Sequence, residues 1–196
     1  MDGDITMLLR EVEEDRPGAR DRLVAIVYRE LHAMATNRLG HADRRLMEPT
    51  TLVHETYMRL FGKDGKSWEN RRHFFFVAAK VMRDVLVDRA RRMSAQKRGG
   101  RRPHGPLTDD AISVEGEAFE LLSLHDALDA LEQAHPVPAK VVMLRFFAGL
   151  DRDQTGEIMG ISAGAAWREW MFAKGWLLNR MNGREPRDES EIRPES

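Results

Sequence analysis

The chain has 196 residues, room for one ordinary domain or two small ones. Its 42% hydrophobic and 32% charged residues describe a densely charged globular protein, and the absence of cysteine excludes disulfides, thiolate nucleophiles and cysteine-ligated zinc or iron-sulfur sites. No apolar run approaches the ~20 residues that span a bilayer, and the start MDGDITMLLREVEEDRPG lacks a basic stretch followed by an apolar core, so a cytoplasmic location is expected.

Apolar residues recur at three- and four-residue steps almost throughout and no stretch alternates, which predicts an all-α chain. Leu23, Ile26, Val27, Leu31, Met34 and Leu39 form a first stripe after a Pro17-Gly18 turn. Val53, Tyr57, Leu60 and Phe61 form a second, opened by Pro49 with Thr50 as capping candidate and closed at Gly62. Within it His54-Glu55 begins like the HExxH helix of zinc proteases, but Met58 stands where the second histidine is needed, so no metal is expected. His54, Glu55 and Arg59 then make a polar side that is either solvated or docked on a partner.

The next segment, KDGKSWENRRHFFF, sets Trp68, His73 and Phe74-Phe76 among Lys63, Lys66, Arg71 and Arg72. That mixture suits unstacked nucleic acid, because cations hold phosphates while rings stack on exposed bases for ~1–3 kcal/mol each. Phe74 and Phe75 read as core, whereas Trp68 lies in a polar loop where burial is less natural. Phe74, Val77, Ala78, Val81, Met82, Val85 and Leu86 predict a long helix with Arg72, Lys80, Arg83 and Arg91 on its other side. Residues 71–102 hold 11 Lys or Arg against only Asp84 and Asp88, a local +9, while 103–150 hold 2 basic and 8 acidic side chains, a local -6. The formal net charge of -1 is therefore a cancellation and does not argue against nucleic acid. The acidic block either repels DNA from the second half or lies against the basic block in the free protein.

After Met93 the stretch SAQKRGGRRPHGPLTDD is rich in Gly, Pro and charge and reads as a flexible linker. Leu121, Leu124, Leu128 and Leu131 predict a helix ending before Pro136 and Pro138, and three further helices follow, with turns at Gly149 and at Gly160-Ile161. The pair DRDQTGEIM and the helix from Ala163, separated by GIS, has helix-turn-helix spacing, a turn that other compact helical bundles can also contain. The tail GREPRDESEIRPES is polar and reads as disordered. There is no phosphate-binding glycine loop, no GxSxG elbow and no distinctive carboxylate pair, so neither an enzyme nor a cofactor is expected.

In order and spacing, EPTTLVHETYMRLF, RRHFFFVAAKVMRDVLVDRARRMSAQKRGG, the leucine helix, KVVMLRFFAGL and GIS resemble a bacterial RNA polymerase sigma factor of the extracytoplasmic-function (ECF) group, over roughly residues 5–182. The resemblance implies two small helical domains: sigma domain 2 over 1–93 and the helix-turn-helix sigma domain 4 over 119–183, with a linker over 94–118 and a tail over 184–196. It implies that Leu52, His54, Glu55, Tyr57, Met58 and Arg59 dock on the clamp coiled coil of core RNA polymerase. Lys66, Trp68, Asn70, Arg71, Arg72, Lys80, Arg83, Arg89, Arg91 and Arg92 would bind the promoter's minus-ten region, and the linker would run towards the active-centre cleft and RNA exit path. Minus-thirty-five recognition would fall to Ser162, Trp167, Arg168, Met171 and Lys174. In the second domain Thr155-Gly156 replaces the family's usual Ile-Ala pair and Ala165-Ala166-Trp167 its Thr-Val-Lys type start. Gly156 inside a helix costs up to ~1 kcal/mol relative to Ala. Trp170 and Trp176 read as core. Promoter DNA and core polymerase are thus the implied partners, with room for an anti-sigma factor and no membrane segment. A helix-turn-helix regulator that acts without polymerase is the alternative.

Overall fold

The periodic stripes fold as helices in the residues that this computed structural model describes (3–39, 46–62, 68–98 and 109–184), and no strand occurs among them. The order is α1 (Gly3–Glu13), α2 (Ala19–Arg38), α3 (Pro49–Phe61), α4 (Arg71–Arg98), α5 (Asp109–Ala134), α6 (Pro136–Val142) running on as a π-helical turn (Met143–Phe147), α7 (Arg152–Met159) and α8 (Ala163–Met181). The all-α expectation holds. Helix α1 carries Ile5, Leu8, Leu9 and Val12 at i, i+3, i+4 and i+7, a stripe the predicted elements above did not include, and buries Ile5 and Leu8 against α2. At the start of α3 the N-cap is Glu48, not Thr50: Pro49 occupies the first turn, where its fixed φ and missing N–H suit a helix start, and Thr50 is already helical.

Helix α4 explains how the two halves meet. Phe74, Phe75, Ala78, Ala79, Val81, Met82, Val85, Leu86, Val87 and Ala90 are all buried. Adjacent residues of a helix point about 100° apart, and the set from Phe74 through Val87 to Ala90 extends over more than half of the circumference, much more than the ~100° stripe of a helix packed on one side. Accordingly α4 packs on α3 and also on α5, the π-helical turn and α7. A single buried cluster runs from Ile5 to Leu177, in place of two separate cores. The expected linker over 94–118 is helical at both ends, because α4 continues to Arg98 and α5 begins at Asp109. Residues 99–108, and the expected disordered tail from 185 on, lie outside the described residues.

The C-terminal helices are fixed by local devices. Asp151 accepts from the Gln154 N–H at 2.8 Å while Gln154 Oε1 accepts from the Asp151 N–H at 3.0 Å, a reciprocal cap that starts α7. Gly160 ends α7 in the left-handed conformation (φ 70), and Ser162 starts α8 by accepting from the Ala165 N–H at 3.1 Å.

Candidate nucleic-acid interface

The first candidate surface begins at the entry to α4. Asn70 caps it, its side-chain oxygen accepting from the His73 N–H at 2.9 Å, so this amide already has a structural task. The Arg71 N–H donates to the Thr6 hydroxyl at 3.1 Å, which ties α1 to the same point. Trp68 departs from its expected exposure: it is only 9% exposed, with its ring 5.3 Å from Phe61 and 5.4 Å from Phe74. The local sequence is polar, but the tertiary fold offers a ready aromatic pocket, and burying an indole there outweighs leaving its N–H without a hydrogen-bond partner among the described residues. Lys66 lies outside the described residues.

Along α4, the side facing solvent carries His73, Lys80, Asp84 and Arg91. Both acidic residues of the basic block, Asp84 and Asp88, are therefore on or beside that side, and Asp88 pairs with Arg59 at 2.9 Å. Arg89 and Arg92 are exposed, Arg89 donating to the Leu46 carbonyl at 3.3 Å. Arg83 is not on the solvated side that the periodicity predicts. It is 5% exposed and lies under α5, because the two-sided burial of α4 brings the second half of the chain over it.

The second surface is the outer side of α8. Its inner side buries Ala166, Phe172, Ala173, Trp176 and Leu177, which leaves Trp167, Arg168, Met171 and Lys174 together on the outside, with the exposed Ser162 at their head. Trp167 and Met171 are 43% and 47% exposed. Thus four of the five sequence-identified residues share one side of α8, and the fifth, Ser162, is its exposed N-cap. Ala166 faces the core, so its lack of a polar group costs nothing at this surface. Gly156 has a positive reason to be glycine: a Cβ there would stand 2.9 Å from the Ile161 carbonyl oxygen and 3.1 Å from the Ala163 nitrogen. The missing side chain lets the two helices and their turn approach closely, which offsets its helix-propensity cost.

A sequence-family model described as ECF sigma factor matches residues 2–183. The chain belongs to the ECF sigma factor family. That family serves transcription initiation and is not an enzyme class. Searches of curated proteins and of solved structures gave no match. Among its described residues this sigma factor has no helix long and apolar enough to cross a membrane, and no group of three or more His, Asp or Glu placed to hold a metal ion.

On α3 of this sigma factor, His54 and Met58 are exposed, and Glu55, Tyr57 and Arg59 are half-buried. Leu52 is buried in the core and is not part of that surface. Two arginines went unremarked in the sequence. Arg38 lies 4.1 Å over the Phe146 ring and joins α2 to the π-helical turn. Arg145 lies 4.6 Å over Trp170 and 5.5 Å over Trp167, bracing the root of α8. Burial pushes the Arg145 guanidinium below its ordinary range, the nearby Asp151 opposing the shift and Arg152 adding to it. For Arg145 the available signal was a lone cation inside the apolar run VVMLRFF.

Proposed function

We propose that this ECF sigma factor is a promoter-specificity subunit that docks on core RNA polymerase through the outer side of α3, grips the minus-ten region along α4 and reads a minus-thirty-five element with α8. The observation that carries this reading is the outer row of α8, Trp167, Arg168, Met171 and Lys174, presented behind a left-handed glycine turn. Arg168 and Lys174 offer donors to base edges or phosphates, and Trp167 and Met171 offer apolar contact of the kind that thymine methyl groups accept. On α3, His54, Glu55, Met58 and the Arg59–Asp88 pair present a mixed polar and apolar side suited to a protein partner, the clamp coiled coil. The reading places the protein in the cytoplasm with polymerase, and an anti-sigma factor is a natural competitor for the same surfaces.

Reconstitution with core polymerase followed by run-off transcription tests it. The expected result is a stable complex and transcripts with discrete starts. A chain that binds duplex DNA but forms no complex with polymerase would instead be a free-standing regulator. Within the complex, R71A/R72A is expected to weaken promoter opening and to reduce the slope of log affinity against log salt by ~1–2, because each phosphate that is no longer neutralised removes about one unit.

A further inference from the structure

Helix α8 presents Trp167 to the outside, yet the ring is held by a residue from beyond the helix-turn-helix. Arg145, in the π-helical turn, places its guanidinium 5.5 Å from the centre of the Trp167 ring and 4.6 Å from that of Trp170, one turn further along α8. The turn gives it a firm base. Leu144 and Phe147, which flank Arg145, are fully buried, and the Ala148 N–H donates to the Met143 carbonyl at 3.1 Å to close the turn. Arg145 gives up water to be there: its Nη1 is buried without a hydrogen-bond partner among the described residues. Burial also pushes the guanidinium below its ordinary range. The two indole faces are what offset that loss, because a cation held against an aromatic face gains most where water is excluded. In the family's usual pattern a lysine stands at position 167, and a second cation there would repel Arg145. The stacked arrangement is therefore particular to a chain with tryptophan at this point.

We propose that Arg145 is a positioning residue for DNA reading, holding the exposed Trp167 indole in one orientation on the outer side of α8 before a duplex arrives. This rests on the reading of α8 as the helix that contacts duplex DNA. Trp167 is 43% exposed and shares its row with Arg168, Met171 and Lys174. A ring free to turn about its side-chain bonds must be ordered when it meets a base edge, and that ordering weakens binding, whereas a ring already stacked on a guanidinium is ordered beforehand. Arg145 acts through Trp167 and not as a donor to DNA, since one arm of its fork is enclosed.

The test uses the full chain and a duplex that it selects from a pool randomised over about one helical turn. R145M keeps the length of the side chain and removes its charge and its flat stacking face. It is expected to weaken binding about two- to tenfold, the cost of ordering one side chain at an interface, with no change in the slope of log affinity against log salt. W167A is expected to weaken binding at least as much, and R145M/W167A no more than W167A alone, because the arginine then has nothing to position. Without DNA, acrylamide quenching of Trp167, taken as the difference between each chain and its W167F counterpart, is expected to be stronger in R145M. A salt slope reduced by about one in R145M would make Arg145 a phosphate contact. A loss that persists in the W167A background would make it a support of α8 as a whole, and unchanged quenching or unchanged affinity in R145M would show that it positions nothing. Each of these results overturns the proposal and leaves the reading of α8 intact. A pool that yields no preferred duplex overturns that reading and the proposal with it, and W167A binding as tightly as the unmodified chain removes Trp167 from the reading and overturns the proposal.

Discussion

Helices α4 and α8 both carry a row of cations beside aromatic residues, and the fold treats them in opposite ways. On α4 the apolar residues wrap most of the helix, so neighbours pack on two sides and Arg83 ends up nearly enclosed against Asp129. On α8 burial is confined to Ala166, Phe172, Ala173, Trp176 and Leu177, and Arg168 and Lys174 stay at the surface. The same residue types are thus structural in one place and available in the other. What separates the two is how wide the apolar sector is.

The largest effect that can break this comparison comes from the shared core. F74A is expected to cost ~3–5 kcal/mol in urea unfolding, and a single transition should move as a whole, because Phe74 lies in the cluster that joins both halves. Two separable transitions, only one of them shifted, would show that α4 serves the first half alone. Next comes the approach of α7 to α8: G156A places a Cβ 2.9 Å from backbone oxygen and should destabilise by ~1–3 kcal/mol in thermal melts, against the usual helical preference for alanine. The pair of cations sharpens the contrast directly. R168A is expected to leave the melting temperature unchanged while costing ~1–3 kcal/mol of duplex affinity, whereas R83A should lower the melting temperature, since it empties an enclosed site between α4 and α5 and removes the ion pair to Asp129. Similar melting temperatures for both variants would remove the distinction between the helices. The smallest effect is local: D151A, which removes the reciprocal cap of α7, should cost about 1 kcal/mol, read by thermal denaturation.

Much of the candidate site is legible because it depends on short-range rules. The left-handed Gly160, the capping Ser162 and the spacing between them specify the helix-turn-helix over a few residues, and the row at 167, 168, 171 and 174 follows from helical periodicity alone. Phe74 and Phe75 are core, as expected, and so is Trp176. The misplacements share a cause. Trp68 stands among polar neighbours, so nothing local foretells that Phe61 and Phe74 close over it. Arg83 falls on the polar side of a one-stripe reading, yet the adjacent pairs Val81-Met82 and Val85-Leu86 carry a second stripe that needs a second partner. Leu52 shares a helix with exposed His54 and Met58, and only the packing of α3 turns it inward.

The sequence by itself determined the helical class, the helix-turn-helix and its outer row, and the split between a +9 and a -6 block. Backbone periodicity, capping and charge counts are properties of neighbours along the chain, so they survive without coordinates. Only the tertiary structure decided that the acidic half lies on the basic helix, that Glu157 and Asp129 answer Arg71 and Arg83, and that Gly156 is required for close approach. These pairings join residues 46 to 86 positions apart, or rest on atomic clearances of about 3 Å. Complementary charge states that such blocks can attract, but the geometry of two-sided packing on α4 selects which cations are covered and which remain exposed.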